Sequence, residues 1–220
     1  MITISKARLY DLAAASPLII WYAFAIGGLL IQIDAQIAKT TDAAQLALSA
    51  GAKLASAAFL GLQVVLFLIR RLPVDKAEGW WPRVVAVFGT NAAILFLALP
   101  RVELSPAMNL VSSALIICGS VSAVIVASRL GRSFSVLPQA RGLVTSGPYR
   151  LVRHPLYVAE QIATFGIMWQ FQQPWALLVA LMSFAAQFPR MHYEEKILAQ
   201  TFPAYRTYAE RTAKLIPGVY

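Results

Sequence analysis

Residues 107–128 form a run of 22 residues without one charged side chain. At 1.5 Å per residue, such a run spans a hydrocarbon core about 30 Å thick, and only a helix satisfies its own backbone there. Three further apolar segments precede it, at about 17–33, 53–69 and 84–99, and two shorter ones follow, at 156–172 and 175–189. The whole chain is only 13% charged, about half the share of a soluble domain. The expected fold is therefore all-α: a polytopic helical membrane protein with five to six membrane segments. "QFQQPW" at 170–175 has the polarity and the proline of a turn, which makes 156–189 a helical hairpin packed on the other helices. The first run is read as a retained span rather than a cleaved leader, although small residues follow it. One membrane domain is expected over 1–220, with N-terminal helices over 1–129 and the chemistry-bearing region over 130–220.

Charge orients the bundle. The net charge is +9, and of 19 lysines and arginines only Lys39, Lys53 and Arg101 fall at one set of segment ends. The other sixteen gather at the opposite ends. By the positive-inside rule both termini and the 129–155 loop face the cytoplasm, in the inner or plasma membrane of a prokaryote. The basic residues come in bursts between apolar runs rather than in one arm or helix face, so no nucleic-acid partner is expected. Cys118 is the single cysteine, which rules out an intramolecular disulfide. With only His154 and His192 beside it, a Cys/His zinc cluster is ruled out too, and no metal is expected.

Two basic-side segments carry the unusual chemistry. "RLVRHPLYVAEQ" places Pro155 as a first helical residue, where its missing N–H costs nothing. At helical spacing Arg153, Tyr157 and Glu160 share a face, and His154, Tyr157 and Gln161 an adjacent one. Glu160 lies inside an apolar segment, where an ionisable group needs a partner or a wet cavity. An Arg153–Glu160 pair with Tyr157 as an interfacial anchor explains these residues structurally. In the second segment, "RMHYEEKILAQTFPAYRTYAER", an Arg190–Glu194 pair with a solvated Glu195 is the structural alternative. Tyr193, Phe202, Tyr205 and Tyr208 crowd the two acids, which points instead to a pocket with an apolar body and an acidic floor. The two segments meet if the hairpin closes. Together they would hold a polar, zwitterionic ligand from the cytosol beside an apolar one from the lipid. Neither a GxGxxG nor a P-loop pattern is present.

At "LGRSF" (130–134), "GLVTSGPYRLVRHPLY" (142–157), "EE" (194–195) and "FPAYRTYAERTAKLIP" (202–217), the chain resembles the membrane methyltransferases related to isoprenylcysteine carboxyl methyltransferase and the phospholipid N-methyltransferases. The resemblance implies a small helical enzyme using S-adenosyl-L-methionine without a Rossmann fold. By motif position it assigns Gly147, Tyr149, Arg153, His154, Tyr157, Glu194 and Glu195 to the cofactor site, and Arg211 to the reacting groups. Glu160 joins Arg211 as a catalytic candidate, because an amine acceptor needs a group to take its proton. Ala159 departs from the glycine that many members carry there.

The implied acceptor is a lipophilic or small molecule (a carboxylate, an amine or a thiol), with membrane lipids as the surroundings. Its specificity is expected to come from apolar contacts in the first four spans. The competing reading is a membrane transporter or scaffold without catalysis. It is disfavoured because segments 84–99 and 107–128 hold only Asn91 and Asn109 as strongly polar residues.

Overall fold

A computed structural model describes residues 5–38 and 42–218 of the chain; Lys39, counted above, lies outside them. Among the described residues there are seven α-helices: α1 (Lys6–Ile37), α2 (Ala43–Ile69), α3 (Trp81–Asn91), α4 (Pro106–Leu130), α5 (Pro155–Met168), α6 (Trp175–Thr201) and α7 (Ala204–Arg211). A 3₁₀ stretch, Ala92–Ala98, prolongs α3. Two-residue strands β1 (Asp75–Lys76) and β2 (Gln139–Ala140) pair antiparallel. Four helical stretches are long and apolar enough to cross a membrane: Lys6–Ile37, Ala43–Ile69, Trp81–Ala98 and Pro106–Ser133. The chain is an integral, multi-pass membrane protein.

Two helices start earlier than their apolar runs because polar residues cap them. Ser5 Oγ accepts the Arg8 N–H at 3.3 Å, and Asp42 Oδ1 accepts from Ala44 and Gln45 at 2.9 and 3.2 Å, satisfying donors that a helix N-terminus leaves unpaired. The charged first turns of α1 are themselves anchored. Asp11 faces Arg70 Nε at 2.9 Å and Arg141 Nη2 at 2.6 Å. That cluster ties the start of α1 to the end of α2 and to the loop after α4. Arg71 N–H donates to Arg132 O at 2.8 Å and Val74 N–H to Ala140 O at 2.7 Å, so the loops after α2 and α4 form one platform at the arginine-rich end.

α5 differs from a full span. Its 14 residues rise about 21 Å, short of the hydrocarbon core. It is set against α4 through small residues. A Cβ on Gly119 would lie 2.4 Å from Ala163 N and 2.7 Å from Ala159 O, so the two backbones touch where no side chain fits. Ser112 Oγ donates to Gly166 O at 2.8 Å, which fixes the register. The turn between α5 and α6 reaches the end opposite the arginines, where Val102 N–H donates to Gln170 O at 3.1 Å and Gln172 N–H to Pro100 O at 3.0 Å. α6 then returns and runs on past the apolar stretch, through Pro189, to Thr201.

The first four spans are not uniformly apolar inside, contrary to the expectation from their sequence. Gln63 on α2 and Ser112, Ser113 and Ser120 on α4 are buried, and the spans, with α5 and α6, line a partly polar, partly open cavity of about 500 Å³. Single glutamines and serines spread through long apolar runs barely register in their average hydropathy, yet the fold turns them to one side.

Candidate active site

The two basic-side segments meet. The backbone before α5 lies beside the tail of the chain in a parallel bridge between Val152 and Ala213. Arg153 N–H donates to Ala213 O at 2.8 Å and His154 N–H to Lys214 O at 3.1 Å. Side chains complete the junction. His154 Nε2 lies 2.9 Å from Glu195 Oε1, Arg153 Nε 3.4 Å from the same oxygen, and Lys214 Nζ 3.5 Å from Glu195 Oε2. Burial disfavours the charged form of Glu195. The hydrogen bond and charge of His154, with the charges of Arg153 and Lys214, outweigh it and hold the carboxyl below its ordinary range.

Local backbone geometry presents these groups. Pro155 opens α5 and leaves His154 just outside the helix, where its ring stacks on Tyr157 at 5.1 Å between centroids. The Tyr157 hydroxyl donates to Glu194 Oε2. Upstream, Gly147 takes φ +62° at the head of a 3₁₀ turn, Gly147–Arg150, a conformation that side chains resist. Tyr149, buried in that turn, offers its carbonyl to the Tyr208 hydroxyl at 2.6 Å. α7 is thereby latched over the junction, with Tyr205 buried beneath it. Burial pushes the Tyr208 hydroxyl up to about 12 and that of Tyr205 higher, so both phenols stay protonated donors.

Two sequence expectations change. Arg153 lies before α5, not on its face, and pairs with Glu195 rather than Glu160. Glu160 pairs instead with Arg190, at 3.6 Å. Arg190 is therefore not the partner of Glu194. It is buried, its guanidinium carbon lies 4.3 Å from the Tyr157 ring centroid, and Gln187 supports it at 3.3 Å. The reason is packing: α6 buries Arg190 against Tyr157 and Glu160 of α5, so the nearer i,i+4 partner loses to one across the interface. Sequence reading also missed Lys214 and Tyr22. Lys214 stood inside the resembling segment but carried no spacing signal. Tyr22 lies within electrostatic reach of Glu160 and Arg190 yet sits in an apolar run over a hundred positions away.

Arg211 stands apart. It ends α7 with its side chain exposed, and no hydrogen bond or ion pair holds it among the described residues.

The donor set suits a zwitterionic cofactor that carries a third, sulfonium charge. Glu195 already faces His154, Arg153 and Lys214, whereas among the described residues Glu194 holds the Tyr157 hydroxyl and keeps lone pairs for another donor. The Tyr205 hydroxyl is buried without a hydrogen-bond partner among the described residues, within electrostatic reach of both acids and of Arg153. A buried polar atom of this kind normally has a partner.

Residues 108–205 match the phospholipid methyltransferase family model. Over 76 residues the chain is 38% identical to the cobalt-zinc-cadmium resistance protein CzcN of Cupriavidus metallidurans, covering 34% of this chain and 35% of that protein. It is 33% identical over 76 residues to the nickel-cobalt-cadmium resistance protein NccN of Alcaligenes xylosoxydans xylosoxydans, covering 34% and 36%. With protein-S-isoprenylcysteine O-methyltransferase A of Arabidopsis thaliana it shares 40% identity over 98 residues, covering 40% of this chain and 49% of the plant protein. The chain thus spans about a third to a half of the curated relatives it matches. A solved structure of the eukaryotic intramembrane Ras methyltransferase ICMT aligns over 98% of this chain and 99% of its own, with a TM-score of 0.45 and 16% identity.

Proposed function

We propose that this chain, whose residues 108–205 match the phospholipid methyltransferase family model, is an S-adenosyl-L-methionine-dependent methyltransferase acting on a lipophilic acceptor at the cytoplasmic face. The observation that carries the reading is the 2.9 Å contact between His154 and Glu195, which joins the two halves of the motif in one junction. The cofactor supplies an electrophilic methyl group on a sulfonium centre. Glu194 receives its ammonium, and Arg153, Lys214 and the backbone N–H groups near Gly147 hold its carboxylate. Glu195 is a positioning residue that keeps His154, Arg153 and Lys214 in place. Tyr149, Tyr157 and the phenols of α7 pack on the adenine or the sulfonium, as aromatic faces do with cations.

Glu160, at the inner side of this junction, orients the acceptor or takes its proton, with Arg190 holding the carboxylate in place. Arg211 reaches the acceptor from the rim. Positioning two reactants in this way contributes up to about 7–11 kcal/mol in favourable cases. Both termini are cytoplasmic in this reading, because the arginine-rich platform and the junction share one end of the bundle.

Calorimetry with S-adenosylhomocysteine in detergent tests the proposal. Saturable heat is expected, lost in His154→Ala and Glu194→Gln with the fold retained. For Arg211→Ala, a lower turnover with unchanged cofactor affinity is expected; an equal fall in both overturns its role at the acceptor. The polar cavity among the spans also suits a transporter, and protein that gives no heat while intact would favour that reading instead.

A further inference from the structure

The cavity among the spans is charged differently at its two ends. At the end nearer the junction its wall includes Glu160, Gln187 and Tyr22, with Glu160 held by Arg190. The Tyr22 hydroxyl there is buried without a hydrogen-bond partner among the described residues. At the far end stand Lys53 and Arg101. Lys53 Nζ donates to Gln36 Oε1 at 2.6 Å and Arg101 Nη2 to Gln32 Oε1 at 2.8 Å. Gln32 and Gln36 are one turn apart on α1, so the two cations are held side by side, near enough for their charges to repel. Neither is in an ion pair among the described residues. Both contacts are to neutral amides. Lys53 lies within α2, where a cation ordinarily finds a counter-charge, and its ammonium has three N–H donors; Arg101, in the loop before α4, also lies over the Phe171 ring at 5.5 Å.

We propose that this cavity seats the methyl acceptor, and that the acceptor is a single-chain amphiphile whose far end carries an anionic group held between Lys53 and Arg101. The word acceptor rests on the methyltransferase reading above; the anion site rests on the two cations alone. A carboxylate, a phosphate or a sulfonate supplies the same chemistry, and the side-by-side cations and glutamine amides do not distinguish them. Length follows from the helices. Tyr22 and Gln32 are ten residues apart on α1, which sets the two ends about 15 Å apart. A cavity of about 500 Å³ falls within the usual range for small-molecule sites, about 300–1,000 Å³. Serines and glutamines along the wall, among them Ser56, Gln63 and Ser120, tolerate polar atoms along the chain of such a ligand. The reacting group then lies at Glu160 and Tyr22, facing the junction, while the anion fixes the opposite end.

Dodecanoate and dodecanol, chains of equal length with and without a terminal charge, test this. Their saturable binding to the full chain is measured in nanodiscs of neutral phosphatidylcholine, with empty nanodiscs subtracted. Dodecanoate should bind about tenfold more tightly than the alcohol, the size of one charge-assisted contact. Lys53→Gln removes one cation, and Gln32→Glu leaves the cations in place but supplies Arg101 with a counter-charge. Each should erase most of the preference while S-adenosylhomocysteine binding stays within about twofold. Equal binding of the two probes by the unaltered protein overturns the proposal. So does displacement of dodecanoate by phosphatidylglycerol added to the nanodisc, which assigns the cations to a bulk lipid headgroup. Absence of the dodecanoate preference in the unaltered protein, with its cofactor heat intact, refutes this inference alone. A protein that prefers dodecanoate but gives no cofactor heat refutes the methyltransferase reading, and the ligand is then no acceptor.

Discussion

Replacing Glu195 by glutamine keeps the shape of the side chain and removes its charge. In the folded protein that charge faces His154 at 2.9 Å, Arg153 at 3.4 Å and Lys214 at 3.5 Å, and the side chain is 17% exposed. A hydrogen bond to a charged group contributes about 1.5–3 kcal/mol, and partial exposure screens the longer contacts. A loss of about 2 kcal/mol follows for whatever equilibrium depends on the aligned cations, equivalent to about 30-fold in affinity. The backbone bonds from Arg153 and His154 to Ala213 and Lys214 do not involve this carboxylate, so the tail stays docked. Calorimetry with S-adenosylhomocysteine reads the affinity, and hydrogen exchange at the Arg153 and His154 amides reads the docking. Weakened binding with both amides still protected is the expected pair of results. Affinity within twofold of the parent would remove Glu195 from the cofactor's surroundings. Binding and protection lost together would make it a structural clamp only.

The same carboxyl sets a pH window. Its value in the folded chain lies below the ordinary 4.5, so its stabilisation is complete above that value and fades as pH falls through the lower, folded one. The gap in melting temperature between the parent and Glu195→Gln should narrow as pH falls below about 5 and close in stronger acid; a gap that persists undiminished through the acid range refutes the assignment. At the buried Arg190–Glu160 pair, Arg190→Met or Glu160→Gln alone should cost about 3–5 kcal/mol, because each strands a buried partner. Glu160→Leu with Arg190→Met together should melt higher than either single variant in detergent, and simple additivity of the losses would count against the pairing. Gly119→Ala forces a Cβ against the α5 backbone, at 2.4 Å from Ala163 N, and should destabilise by about 1–3 kcal/mol. Gly61→Ala, with open space around its added Cβ, should melt like the parent.

How much of this was legible beforehand depended on the range of the interaction. Four of the helices follow from apolar runs, because membrane burial acts residue by residue and shows in composition. Their N-terminal limits were misplaced by up to eleven residues, since Lys6, Arg8 and Asp11 look like solvent until Arg70 and Arg141 are known to face Asp11. Local chemistry was readable at His154–Pro155, where proline starts the helix. The meeting of His154 with Glu195 was expected from the hairpin alone. Choice of partner was not: helical spacing offered Arg153 to Glu160 and Arg190 to Glu194, while packing of α6 on α5 joined Glu160 to Arg190. The polar wall of the cavity was hidden for a related reason. Gln32, Gln63 and Ser120 are dispersed along three helices, and only the bundle brings them to one side.

The shortness of α5 has a consequence for biogenesis. A stretch that rises about 21 Å has little to hold it alone in lipid, and its glycine- and alanine-lined face gains nothing from acyl chains. It can settle only against a surface already standing. Chain order supplies that surface, since α4 leaves the ribosome first with Ser112 and Gly119 in position. The serine and glycine that α5 packs on thus precede it in the chain, and its place in the bundle depends on α4 rather than on its own length.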